Sequence, residues 1–245
     1  MSTNTAQTAA QTKEDFTELP PFVGLGGKFQ SGKDAFADEL VSQYGYHKLG
    51  MSDVLADALF ELNPYIPTRF QGSELIYDEI RKELDWNGFN PVDPLIRYRV
   101  LTGQIGYVRA KRFPEVRRLL QMLGTEVGRN MIHPNVWVDV MMRRAQQLRS
   151  QGHPVVITGI RYENELDAVE RLGGATVYVW RDRAEAAFIE QHHSTNAHSS
   201  EQLRPERFQE LLFNNGSLDD LRVSALEFGE KQRDKMLAAH GTYTM

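Results

Sequence analysis

Apolar residues along this chain alternate between short unbroken runs and longer stretches at helical spacing. Phe22-Val23-Gly24-Leu25 is a compact apolar run that suits a buried strand. After a turn, Phe36, Ala37, Leu40, Val41 and Tyr44 recur at helical spacing. Tyr46-His47-Lys48-Leu49 reads as a second strand. Ser52-Asp53 opens a helix through Val54, Leu55, Ala58, Leu59 and Leu62, which Asn63-Pro64-Tyr65-Ile66-Pro67 stops. Pro114 starts a helix with a stripe of Val116, Leu119, Leu120 and Leu123, and another helix runs from Asn135 to about Leu148. Val155-Val156-Ile157-Thr158 is the strongest buried-strand signal, being mostly β-branched and set between breakers. A helix with Leu166, Val169 and Leu172 follows, closed by Gly173-Gly174. Ala175–Trp180 is the next strand, Phe208–Phe213 carries the last, and Ser217 caps a final helix expected to fray after Gly229.

Two stretches break the rhythm. Residues 64–115 carry scattered prolines and glycines and many arginines, as an inserted region would. Residues 184–207 are polar and irregular, as a flap would be. The order β-α-β-α, insertion, α-α-β-α-β, flap, β-α predicts an α/β fold: a parallel sheet in three layers, with helices on both faces. The expected organisation is a disordered tail over 1–19 and one domain over 20–230. That domain holds an acceptor-binding insertion at about 60–115 and a lid at about 182–207. A C-terminal tail covers 231–245.

Composition narrows the class. With 28 basic and 33 acidic residues the formal charge is −5, so no global basic field points to a nucleic-acid partner. Cysteine is absent, which excludes disulfides and zinc-thiolate sites and fits a cytoplasmic setting. No apolar run approaches a membrane span, and the polar N-terminus has no signal-peptide core.

The chemistry concentrates at Gly26–Asp34, read GGKFQSGKD, between the first strand and the first helix. A phosphate chain needs a concave row of backbone N–H groups, and glycines permit its close approach. The helix N-terminus favours negative charge. Gly27, Lys28, Ser31, Gly32 and Lys33 are therefore the candidate ATP cradle, with Lys33 the mobile cation for the β- and γ-phosphates. Asp34 stands where Ser or Thr is usual, and its carboxylate is the candidate Mg²⁺ ligand, directly or through water. Open α/β sheets bind ligands beyond the carboxyl ends of their strands. Arg161 and Arg181 each follow a strand and are candidates for the transferring phosphoryl group, since a guanidinium bonds two phosphate oxygens at once. Pattern alone does not choose between Arg117 and Arg118. Trp137 and Gln121 could read a base by stacking and amide hydrogen bonds, with Trp137 as core the alternative. The spacing of His192, His193 and His198 does not suit zinc, while His198 with Ser200 and Glu201 could order a lid.

From Phe22 to Phe228 the chain resembles the bacteriophage deoxynucleoside monophosphate kinases. The matching segments are GKFQSGKD (27–34), VRRLLQMLGT (116–125), Trp137-Val138, TGIRYENE (158–165), GGATVYVWR (173–181), NAHSSE (196–201) and NNGSLDDL (214–221). The resemblance implies a P-loop kinase fold and transfer of the ATP γ-phosphoryl to a deoxynucleoside monophosphate, supplying viral DNA synthesis in a host cytoplasm, and a homodimer. It implies that Gly27 to Asp34 hold ATP and Mg²⁺. Arg117, Gln121, Gly124 and Thr125 would face the monophosphate, and Arg161 the transferring group. Arg181 would open the lid, and Asn215 and Gly216 would lie beside the adenine. Two positions depart from the family. The usual Asp-x-Arg after the central strand is Gly159-Ile160-Arg161 here, so the acidic group near Mg²⁺ is missing. A basic residue expected in the second helix is Ala56. Phosphomevalonate kinase shares part of the pattern and remains an alternative, as does a P-loop NTPase switch without an acceptor.

Overall fold

The computed structural model describes residues 21–85, 88, 93–192 and 203–241. The expected N-terminal tail, the segment NAHSSE and His198 lie outside them. In chain order the elements are β1 (Phe22–Gly26), α1 (Lys33–Tyr44), β2 (His47–Gly50), α2 (Asp53–Leu62), β3 (Tyr65–Pro67), α3 (Ser73–Leu84) and β4 (Leu95–Arg97). Next come α4 (Tyr98–Ala110), α5 (Pro114–Gln121), a π-helix (Met122–Ile132), α6 (Val136–Ser150), β5 (Val155–Ile160), α7 (Glu163–Arg171) and β6 (Ala175–Trp180). The chain continues with α8 (Asp182–His192), a 3₁₀ turn (Pro205–Arg207), β7 (Glu210–Phe213) and α9 (Leu218–Gly241). The fold divides into two compact units, Ser52–Trp137 and the rest of the chain.

In the larger unit the five strands are all parallel, in the order β2-β5-β1-β6-β7. The α/β class read from the apolar rhythm is therefore the observed one. Alternation in β1 assigns the two faces. Val23 and Leu25 pack with Phe36, Ala37 and Leu40 of α1 and with Leu221, Ala225 and Phe228 of α9. Each buried valine, leucine or phenylalanine side chain among them contributes roughly 1.5–3 kcal/mol. On the other face Gly24 lets α7 approach, since a Cβ there would lie 3.1 Å from Val169 Cγ2. The layers are thus helices, sheet, helices.

Arg149 of α6 is buried on the α7 side. It donates to the Leu172 carbonyl at 2.9 Å, and its guanidinium lies 5.1 Å from the Phe22 ring. Burial pushes its pKa down to about 10, so it stays charged at neutral pH.

The smaller unit has its own core of Leu59, Ile66, Ile80, Tyr98, Leu101, Ile105, Phe113 and Val116. Its β3 and β4 pair antiparallel, and α4 breaks at Gly106, which takes φ 78°. The inserted stretch 64–115 holds α3, where its pattern predicts a helical piece near Ser73–Leu84, and α4 and a short two-stranded ribbon, where it predicts loop and short helix. Two other expectations are corrected. The stretch read as irregular from 184 begins inside a helix, α8. The last helix does not fray after Gly229 but continues to Gly241. Gln232 and Phe228 are both buried, so α9 keeps an inward face beyond the point where the apolar stripe thins.

Candidate nucleotide-binding site

The loop from Gly27 to Gly32 joins β1 to α1, and two glycines make its shape. Gly27 takes φ 139°, and a Cβ on it would come within 2.6 Å of both Ser31 Oγ and the Val179 carbonyl. Gly32 takes φ 98° and caps α1, with the Asn214 amide nitrogen 2.2 Å from where a Cβ would stand. Neither position accepts an L side chain without strain. Ser31 N–H donates to the Lys28 carbonyl at 3.1 Å, and Lys33 Nζ donates to the same carbonyl at 3.2 Å. Ser31 Oγ is fully buried and has no hydrogen-bond partner among the described residues. A buried hydroxyl of this kind is normally satisfied, so it is an unspent donor within the loop.

Asn214 is a site residue that the sequence reading passed over in favour of its neighbours. Its side chain is buried, and Nδ2 donates to the Ser31 carbonyl at 2.7 Å. Its backbone N–H donates to the Trp180 carbonyl at 2.7 Å, which fixes it to the end of β6. The doubled asparagine before glycine was the available signal. Asn214→Ala would leave the Ser31 carbonyl without that partner. We expect a loss of about 1–3 kcal/mol in stability and a raised KM for ATP, read by urea unfolding and by turnover.

Asn215 and Gly216 lie one step further on. Asn215 Oδ1 accepts from the Asp182 N–H at 2.9 Å, which ties this turn to the start of α8. Ser217 and Asp220 form a reciprocal cap at the start of α9. The Ser217 N–H donates to Asp220 Oδ2 at 2.7 Å, and the Asp220 N–H donates to Ser217 Oγ at 3.2 Å. Hydrogen bonds from the Ser217 hydroxyl and N–H hold the Asp220 carboxyl below its usual range.

The strand-end arginines share the sheet edge with this loop. Gly26, the last residue of β1, pairs with Ile160 of β5 and Tyr178 of β6. Arg161 follows Ile160 directly, and its N–H donates to Glu165 Oε2 at 2.8 Å. Arg181 follows β6 and begins α8, its carbonyl accepting from the Ala184 and Glu185 N–H groups. On α8, Phe188 stacks on the loop, with Lys28 Nζ 3.6 Å from its ring centre. Gly159, next to these residues, has an unusual backbone. β5 bulges there, so that Leu25 pairs with Thr158 and Gly26 with Ile160, and Gly159 takes φ 81°.

Asp34 is exposed at the first turn of α1, with Oδ1 3.7 Å from Lys48 Nζ, which also bonds Asp38 at 2.8 Å. Among the described residues no group of three or more metal-ligating side chains occurs. The Asp34 carboxylate is a hard oxygen donor of the kind that can serve Mg²⁺ directly or through water, alongside phosphate oxygens.

The remaining acceptor candidates lie in the smaller unit. Arg118 pairs with Glu115 at 2.7 Å, whereas Arg117 Nε donates to the Lys111 carbonyl at 2.7 Å. Gln121 is exposed at the end of α5. Gly124 and Thr125 lie in the π-helix, a rare conformation that recurs at functional sites. The Trp137 indole donates to the Gly124 carbonyl at 3.0 Å, and its Nε1 lies 2.2 Å from where a Gly128 Cβ would stand. Trp137 thus braces the π-helix with its only donor already committed. Gly124 itself packs on Leu55 of α2. Several arginines of the basic stretch are bound within the unit. Arg99 pairs with Glu61 at 2.7 Å, and Arg109 and Arg112 both pair with Glu83. The Arg112 and then the Arg109 hydrogen bonds hold the Glu83 carboxyl below its usual range. Ala56 is half-buried on α2, without a charge to offer a phosphate.

Among the described residues no helix is long and apolar enough to cross a membrane. No curated protein matches the chain in sequence. Solved structures similar to it include TT1252 from Thermus thermophilus, at 22% identity and TM-score 0.41, over 86% of this chain and 97% of that one. Dephospho-CoA kinase from Campylobacter jejuni is similar at 13% identity and TM-score 0.44, over 87% and 97%. The Mycobacterium tuberculosis APS kinase in complex with AMPPNP and APS is similar at 14% identity and TM-score 0.38, over 86% and 98%. The family model described as deoxynucleotide monophosphate kinase matches residues 104–224. That span takes in the π-helix, β5 with Arg161, β6 with Arg181 and the Asn214–Gly216 turn. Residues 104–224 thus match the deoxynucleotide monophosphate kinase family, and the chain is an ATP-dependent phosphotransferase.

Proposed function

We propose that the protein transfers the γ-phosphoryl group of ATP to the phosphate of a deoxynucleoside monophosphate, giving the diphosphate and ADP. One observation carries the reading: the glycine-lined loop and the two strand-end arginines share one end of the sheet. An acceptor phosphate oxygen forms the new P–O bond to the γ-phosphorus. The bond from that phosphorus to the β–γ bridging oxygen breaks, and ADP leaves with the electron pair. Catalysis of this kind is positioning and charge neutralisation. Gly27, Lys28, Ser31 and Gly32 hold the ATP phosphates through loop donors, and Lys33 follows the β- and γ-oxygens. Arg161 and Arg181 meet the charge that builds on the transferring group. Asn215 and Gly216 border the adenine. Arg117, Gln121, Gly124 and Thr125 take the acceptor's phosphate and sugar, with Trp137 holding the π-helix that carries two of them. Asp34 holds Mg²⁺, which when bound neutralises β- and γ-phosphate charge. The setting proposed is the cytoplasm of a phage-infected cell, with the protein as a homodimer.

The test is ADP release followed with ATP, Mg²⁺ and each of dGMP, dAMP, dCMP and dTMP in turn. ADP should form only when a monophosphate is present, and chelation of Mg²⁺ should stop it. ADP formation at the same rate without any monophosphate would favour the NTPase reading. Turnover with phosphomevalonate alone would favour that kinase instead.

A further inference from the structure

Helix α8 meets the phosphate loop at Phe188. The first turns of the helix are fixed to the end of the sheet. The Asp182 N–H donates to Asn215 Oδ1 at 2.9 Å, and the Tyr178 hydroxyl donates to Glu185 Oε1 at 2.7 Å. Tyr178 lies on β6 and pairs with Gly26, the residue before the loop. Glu185 and Phe188 stand three positions apart and so share one helix face. That face brings the half-buried Phe188 ring to the loop, with the Lys28 ammonium 3.6 Å from the ring centre. The distance is well inside the roughly 6 Å over which a ring face attracts a cation.

Lys28 is also where the loop closes on itself. Its carbonyl accepts from the Ser31 N–H and from Lys33 Nζ, two donors that a phosphate chain would need. The Ser31 bond makes Lys28–Ser31 a β-turn, and the third residue of that turn, Gln30, takes φ 63°, where glycine is usual. A non-glycine residue in that region persists where its surroundings hold it. Contacts at both ends hold this turn: the Asn214 amide on the Ser31 carbonyl at 2.7 Å, and Phe188 on the Lys28 side chain. We propose that Phe188 is a positioning residue for ATP. Its ring face holds Lys28, and through Lys28 it keeps the strained turn in the shape that binds the nucleotide phosphates. The ring face is the working part, since an aliphatic side chain of similar size packs on a lysine stem without attracting its ammonium. Because α8 starts directly after Arg181, the same helix links a strand-end arginine to the loop. The inference rests on the assignment of the glycine loop to the ATP phosphates and involves no acceptor contact.

The experiment measures Mg²⁺–ATP binding by calorimetry on the full chain without acceptor, alongside steady-state turnover with the best of the four monophosphates. Phe188→Leu, which keeps apolar bulk and removes the ring face, should raise the Kd and KM for ATP about 2- to 5-fold. The loss should fall there alone, with kcat and the acceptor KM unchanged. The side chain is only half-buried, so the melting temperature should stay as in wild type. Phe188→Trp, which keeps a ring face, should bind ATP as wild type does. On a Lys28→Met background, Phe188→Leu should cost no further affinity. An unchanged Kd in Phe188→Leu, a Phe188→Trp variant as weak as Phe188→Leu, or additive losses in the double variant would overturn the inference. Gly32→Ala separates it from the reading beneath it. Wild-type ATP affinity in Gly32→Ala would remove the loop from ATP binding and this inference with it. Weakened binding there, beside an unmoved Phe188→Leu, would overturn this inference alone.

Discussion

Lys33→Ala is expected to lower kcat for phosphoryl transfer by at least about 100-fold, the usual cost of removing one preorganised charge-stabilising donor. The ammonium sits at the first position of α1 and reaches back to the Lys28 carbonyl, so it already lies over the loop whose donors would hold the phosphates. Because the side chain is only partly buried, the melting temperature should scarcely move. Lys33→Arg should recover little, since a planar fork does not replace a compact charge on a flexible stem. A variant with full turnover would remove the loop from the chemistry.

Gly32→Ala is expected to be the most destabilising single-methyl change in the loop. The residue takes φ 98°, and its new Cβ would stand 2.2 Å from the Asn214 amide nitrogen. Backbone strain and overpacking together should cost roughly 2–4 kcal/mol, a fall of about 5–12 °C in Tm for a chain of this size. ATP binding should fall as well, because the same displacement moves Ser31. The double variant Gly32→Ala with Asn214→Ala tests the cause. Removing the amide relieves the clash but not the strain, so the pair should cost less than the sum of the single changes. Strict additivity would mean that the contact does not matter.

The parts that were legible in the sequence share a physical cause. Buried parallel strands demand continuous apolar runs, and a phosphate loop demands glycines, so β1, β5, β6 and Gly27–Gly32 announced themselves. What was illegible depends on tertiary context. β3 and β4 have three residues each, too short for alternation to register. The π-helix continues the stripe of α5, with Leu119 and Leu120 in α5 and Leu123 just beyond it, so the pattern gave no sign of the change. In α8 the buried Ala184 and half-buried Phe188 are too few for a stripe, and Phe188 finds its partner in the loop, far off in sequence. Gly159 sits at a bulge with φ 81°, which the run of residues around it does not reveal. Asn214 acts through one buried amide, 183 positions from the carbonyl it holds. Of the acceptor residues, Gly124 and Trp137 proved to be packed against neighbours, and the pattern did not distinguish packing from contact with a ligand.

The most direct measurement follows the fate of a label on the γ-phosphorus of ATP, incubated with the protein, Mg²⁺ and a deoxynucleoside monophosphate. The account predicts label in the nucleoside diphosphate, in step with ADP. Label found only as inorganic phosphate, with the monophosphate recovered intact, would contradict it.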